Sequence, residues 1–211
     1  TGVELARLLS RHGEVELTFL TSDRWVGEPA SARLHLQSAL KFIGVEQGMQ
    51  LASGCQVVFL ATPAESALQL VPRLLEAGTK VIDLSGAFRL EDAALYPRYY
   101  GLTHGAPKLL AEAVYGLPEL FRSRIPAARL IANPGCYPTA VALALAPLLK
   151  AGLAEPGSLV VSAASGVSGA GRKATEEYSF MEADSDFRAY KTLNHQHAPE
   201  IVDPLGKWRD A

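Results

Sequence analysis

The sequence holds few of the residues on which several classes of function depend. It has two cysteines, Cys55 and Cys136, and their unlike surroundings rule out a disulfide framework. Twenty basic residues stand against 22 acidic ones, so there is no field of one sign to hold nucleic acid or a membrane surface. No apolar run is long enough to span a bilayer. TGVELARLLSRH reads as an amphipathic helix with no cleavage site, so no signal peptide is expected in it. No repeat or low-complexity segment occurs. A first methionine is missing too, and Val3, Leu5, Leu8 and Leu9 already form one side of a helix. The strand that should precede such a helix is absent, and truncation at the N-terminus is the expectation. What is present is an ordinary globular composition, 48% hydrophobic and 20% charged, expected in a reducing cytoplasm.

Short apolar runs alternate with helical patterns. VELTFLTSD (15–23) reads as a strand, 24–50 as irregular, and QVVFLATP (56–63) as a buried parallel strand. ESALQLVPRLLEAG (65–78) follows as a helix stopped by Gly78, with Pro72 expected to kink it or to mark its first turn. TKVIDLSGAF (79–88) is a strand, LYPRYYGLTHGAP (95–107) a loop, and ARLIAN (128–133) a further strand. YPTAVALALAPLLKAGL is a helix that tolerates Pro138 in its first turn, and GSLVVSAAS (157–165) is the last strand of the reading. The alternation predicts an α/β fold built on a Rossmann-type parallel sheet. In such sheets ligands bind at the carboxyl ends of the strands, where TSD, ATP, DLSG and NPGC stand.

In IANPGCYPTA, Cys136 falls between a strand and a helix. A helix start favours an anion, so a thiolate there is stabilised, and Gly135 is expected to allow a tight turn that a side chain would obstruct. Most free cysteines are small buried hydrophobes, which remains the reading for Cys55. SGVSGAGRK (165–173) is a glycine-rich loop whose backbone could approach a phosphate or carboxylate, with Arg172 or Lys173 adding charge. HQHAPE brings His195, His197 and Glu200 together. Two histidines at i and i+2 share a strand face and raise the question of zinc, but no third ligand set has metal spacing, so no metal is assigned. A histidine acting as acid and base beside a cysteine fits better. Asp83, Ser85 and Arg89 follow a buried strand. Arg89 suits either an anionic substrate or an ion pair with Asp83 or Asp92. Ser22 and Arg24 in TSDR lean towards NADP over NAD, with Asp23 pulling the other way.

These stretches, with TG-ELARLL, VVFLATP, VIDLSGAFR, YYGLTH, VYGLPEL, NPGCYPTA, SGVSGAGRKA and HQHAPEI in order, resemble the N-acetyl-γ-glutamyl-phosphate reductase family. The related aspartate-semialdehyde dehydrogenases share a fold and a cysteine nucleophile but not this set of motifs. The resemblance implies NADPH-dependent reduction of the acyl phosphate to the semialdehyde, with phosphate released and a thioester formed on Cys136. It implies His197, or else His195, as acid and base, and Arg89, Ser85, Lys173 and Glu200 as substrate contacts. NADP would lie along Gly2, Ser22, Arg24, Ala61, Thr62 and Pro63, and along Ser165, Gly166 and Gly169. A dinucleotide domain over 1–132, the start of an α+β catalytic domain over 133–211, and a homo-oligomer complete the expectation. The alternatives are a reductase of aminoadipyl or aspartyl phosphate, or an inactive NADP-binding fragment. Family members continue past HQHAPEI, whereas VDPLGKWRDA matches nothing expected there, so a poorly folded or inactive chain is also weighed.

Overall fold

The computed structural model describes residues 1–35, 38–171, 173–202 and 205. The chain forms two compact units, Thr1–Pro134 and Gly135–Ala211.

Unit 1 opens with α1 (Gly2–Leu9), followed by β1 (Leu20–Thr21), α2 (Ala30–Leu34), β2 (Phe42–Ile43) and α3 (Val45–Leu51). Then come β3 (Val57–Leu60), α4 (Ala64–Glu76), β4 (Lys80–Asp83), α5 (Tyr96–Tyr100), α6 (Lys108–Glu112), β5 (Val114–Tyr115), α7 (Pro118–Phe121) and β6 (Leu130–Ala132). Among the described residues the strands pair in parallel, and one isolated antiparallel bridge joins Pro29 and Lys41. β1 pairs with β2, and the larger sheet runs β3-β4-β6-β5. The register sets Leu60 beside Asp83 and Asp83 beside Ala132. The loops that start at Ala61, Leu84 and Asn133 therefore leave the sheet from one edge.

Helix α4 shows how the core is specified. Ala67, Leu70, Val71, Leu74 and Leu75 recur at helical spacing and are all buried, and they join Leu60, Val81 and Leu130 in one core. The helix runs through Pro72, so this proline sits in the interior and not in the first turn. It supplies no N–H for the carbonyl of Leu68. Gly78, at φ +82°, provides the left-handed residue that ends the helix.

Three expectations from the sequence change here. Of 15–23, Leu20 and Thr21 alone pair as a strand, and the stretch 24–50 holds two helices and a strand. The strand expected over 79–88 stops at Asp83, whose side chain turns the chain back on itself. Over 157–165 there is no strand: a 3-10 turn covers Pro156–Ser158, and the rest enters no ladder among the described residues. A strand needs a neighbour for its N–H and C=O groups, and apolar residues in a row do not supply one.

Unit 2 consists of α8 (Cys136–Lys150), α9 (Phe180–Ala183) and α10 (Ala198–Val202), with 3-10 turns and irregular chain between them. Helix α10 packs on α8. The described part of unit 2 is thus helix and loop.

Candidate active site

Cys136 is the first residue of α8 and is exposed. The preceding Gly135 is the N-cap, with φ −68° and ψ 161°. Any residue adopts that conformation, so the backbone does not need glycine here, contrary to the turn argument from sequence. Space does. A Cβ at 135 would stand 2.6 Å from Cε1 and 2.8 Å from Cδ2 of His197. The imidazole of His197, 6% exposed, occupies the place of a side chain at 135. Glu200, 1% exposed, accepts the Gly135 N–H through Oε1 at 2.8 Å.

HQHAPE is a turn that runs into α10, not a strand, so the two histidines do not share a strand face. His195 Nδ1 accepts the N–H of His197 at 3.1 Å. Burial holds the His195 pKa below its ordinary value, and the nearby Lys191 adds to the effect, so this ring favours the neutral form near neutral pH. The His195 ring lies edge-on to Tyr137, Tyr190 and His197, with centroids 5.2, 5.6 and 4.8 Å away. The hydroxyls of Tyr137 and Tyr190 are 2.7 Å apart. Burial, then the Tyr137 hydroxyl, raises the Tyr190 pKa. Nothing in the sequence spacing of 137 and 190 signals this contact.

These groups line a cavity of about 870 Å³ within unit 2, together with Ser165, Gly166 and Gly169. The glycine-rich stretch forms a 3-10 turn, Val167–Ala170. A side chain at Gly169 would collide with the Ser165 hydroxyl. Lys173 is exposed, and Arg172 lies outside the described residues.

Unit 1 carries the remaining candidates. Gly2 starts α1, and a Cβ there would come within 3.2 Å of the Ala61 Cβ. The helix start and the carboxyl end of β3 are therefore in close approach, as a dinucleotide site requires. Beside them, Thr62 Oγ1 is buried and has no hydrogen-bond partner among the described residues, which leaves a polar atom for a ligand to satisfy. Pro63 is the N-cap of α4. Ser22 and Arg24 follow β1. Asp23 Oδ1 accepts the N–H of Val45 at 3.0 Å, so one oxygen of that carboxylate is already engaged at the start of α3. The residues present fit a dinucleotide.

Arg89 donates through Nε to the Asn133 carbonyl at 2.7 Å and through Nη2 to the Leu84 carbonyl at 2.8 Å. It ties together the loops that leave β4 and β6. Asp83, fully buried, accepts from the Ser85 N–H at 2.9 Å and the Ser85 hydroxyl at 2.8 Å. Burial raises the Asp83 pKa, against the opposing pull of Ser85 and Arg89. The Ser85 hydroxyl also accepts the Ala87 N–H, so in this arrangement it shapes the loop.

His104, in YYGLTH, has no spacing in the sequence that marks it. It is buried between Phe88 and Tyr96, with Nε2 at 2.8 Å from the Ala87 carbonyl and Nδ1 accepting the Ala106 N–H. That pattern fixes the neutral tautomer with the proton on Nε2. Burial lowers its pKa, partly opposed by the Ala87 carbonyl. The unfolded chain then takes up this proton first as pH falls, so stability drops below about pH 6.5 and this group adds no pH dependence above it. Urea midpoints at pH 7.5 and 5.5 should differ less in His104→Gln than in the unaltered chain. An equal difference would remove His104 from the account.

Parallel strands with candidate ligand loops on one edge, and a cysteine opening a helix beside a packed histidine, define a class. The comparisons agree with it. Residues 1–128 match the family model "Semialdehyde dehydrogenase, NAD binding domain", and 136–211 match "Semialdehyde dehydrogenase, dimerisation domain". The chain belongs to the semialdehyde dehydrogenase family. Within it, the chain is 52% identical over 209 residues to a protein of Thiobacillus denitrificans and 50% identical over 207 residues to one of Nitrosococcus oceani. Both are named N-acetyl-gamma-glutamyl-phosphate reductase. Each alignment covers 97% of this chain and 60% of the relative, so the chain spans about 60% of those relatives' length. The crystal structure of aspartate semialdehyde dehydrogenase II complexed with ASA from Vibrio cholerae has a similar fold, with a TM-score of 0.50 at 21% identity. That match covers 71% of this chain and 42% of the other.

Proposed function

We propose that this chain carries the nucleophile of an NADPH-dependent reductase that converts N-acetyl-γ-glutamyl phosphate to N-acetylglutamate 5-semialdehyde and phosphate, a step of arginine biosynthesis. The observation that carries the reading is the exposed Cys136 at the first position of α8, next to a glycine on which the His197 imidazole packs. The names of the relatives supply the substrate.

The Cys136 sulfur attacks the acyl carbon, the carbon–oxygen bond to phosphate breaks, and phosphate leaves with that electron pair. The product is a thioester, which keeps the carbon electrophilic while tethered. NADPH, when bound, supplies the hydride that reduces this carbon. His197 holds the thiol proton during attack and returns one to the oxygen as the hemithioacetal forms. Collapse of the hemithioacetal then releases the aldehyde and restores Cys136. Gly2, Ala61, Thr62 and Pro63 would hold the dinucleotide, with Ser22 and Arg24 as further contacts. Ser165, Gly166 and Gly169 are further candidate cofactor contacts. Arg89, Ser85, Lys173 and Glu200 are the proposed substrate contacts. The protein acts in the cytoplasm as a homo-oligomer, which the match of 136–211 to a dimerisation-domain model supports.

The test is phosphate-dependent oxidation of the semialdehyde by NADP, run in parallel with aspartate semialdehyde and aminoadipate semialdehyde. Turnover is expected with N-acetylglutamate semialdehyde, and preference for either of the others would replace the assigned substrate. His197→Asn should lower kcat more than His195→Asn, and the opposite ranking would exchange their roles.

A further inference from the structure

Helix α8 lacks the usual means of finishing its own N-terminus. Its N-cap is Gly135, which has no side chain to bond the first turn, and that turn contains no acidic residue. The third helical residue is Pro138, so the Glu or Gln that reaches back to the N-cap N–H in a capping box is missing. Yet the Gly135 N–H is bonded. Glu200, 65 residues further along, accepts it at 2.8 Å from a side chain 1% exposed. Three residues before Glu200, His197 fills the space over Gly135 that any side chain would need. One short turn and helix thus hold a single glycine at its N–H and at its Cα.

We propose that Glu200 is a positioning residue, which supplies from 65 residues further along the chain the missing half of a capping box and so fixes the peptide that carries Cys136. The proposal rests on Cys136 being the nucleophile, and it gives Glu200 a role at Gly135 in place of the substrate contact named above. It makes the hydrogen-bond acceptor of Glu200 the feature that matters at Gly135, and not its negative charge. Glutamine keeps an acceptor of the same reach, whereas methionine keeps the length and loses the acceptor.

The experiment measures iodoacetamide modification of Cys136 and Cys55 in the same chain at pH 7.5, in the unaltered protein, Glu200→Gln and Glu200→Met. Cys55 serves as an internal reference, since general loosening of the fold raises its rate as well. The Cys136-to-Cys55 rate ratio is expected to stay within about twofold in Glu200→Gln and to change by about fivefold or more in Glu200→Met. Equal changes in the two variants would assign the effect to charge, and no change in either would make the contact inert. Both results overturn the proposal. If Glu200→Met does not fold, hydrogen exchange of the Gly135 amide in Glu200→Gln decides. Retained protection supports the proposal, and exchange about tenfold faster overturns it. No substrate or cofactor enters these measurements, so a failed reductase assay would sink the functional reading and leave this comparison standing.

Discussion

Cys136→Ser is expected to abolish reductase turnover, a loss on the order of 10⁴-fold or more, while the fold stays intact. Serine is comfortable at a helix start, and position 136 is exposed, so the substitution creates no cavity and strands no buried group. What it removes is the polarisable sulfur. A hydroxyl is a far weaker nucleophile at neutral pH, and the ester it would form accepts hydride less readily than a thioester. The check is NADPH consumption with the acyl phosphate, together with mass spectrometry for an acyl adduct on residue 136 when NADPH is withheld. An adduct on the unaltered chain and none on the variant is the expected pair. Turnover by the variant within tenfold of the unaltered chain would remove the thioester from the mechanism.

Gly135→Ala carries the second large effect. The added methyl would overlap the His197 ring, with Cε1 2.6 Å and Cδ2 2.8 Å from it. The ring is buried, so it has little room to retreat, and overpacking of this kind costs about 1–3 kcal/mol. Because the displaced group is the proposed acid and base, kcat should fall on the order of 10²-fold, well beyond what the stability loss explains. Denaturant midpoints and steady-state kinetics on the same preparation separate the two quantities. Unchanged kcat alongside reduced stability would mean that His197 packs beside the nucleophile without serving it.

The parts of this architecture that were legible in the sequence are those encoded locally. The strands Val57–Leu60, Lys80–Asp83 and Leu130–Ala132 are legible, although the first is not the buried run expected, since Val57 is 37% exposed and Leu60 alone is buried. The helix that starts at Cys136 is legible too, because apolar runs and their glycine and proline boundaries lie in consecutive residues. The two-residue strands Phe42–Ile43 and Val114–Tyr115 were not found, since they are strands only by virtue of their partners. The same reason reversed the reading of 157–165, whose composition suits a strand but which pairs with nothing described. At the site, Cys136 and HQHAPE were picked out by residue type. The bond from Glu200 to Gly135 joins residues 65 apart, and the requirement for glycine under His197 arises from a shape that appears only on folding. Tyr137 and Tyr190 meet for the same reason. His104 lay inside a stretch read as loop, where its burial against Phe88 and Tyr96 had no periodic signature.

The stretch Val160–Ser165 has a bearing on the practical chemistry of this chain. It contains no charge and no proline, its first residue is 95% exposed, and it enters no ladder among the described residues. A segment of that kind offers a ready template for adhesion between molecules in solution. Rates and unfolding midpoints measured on this chain therefore need a fixed protein concentration, because self-association through an open backbone edge would enter them as an unrecorded ligand.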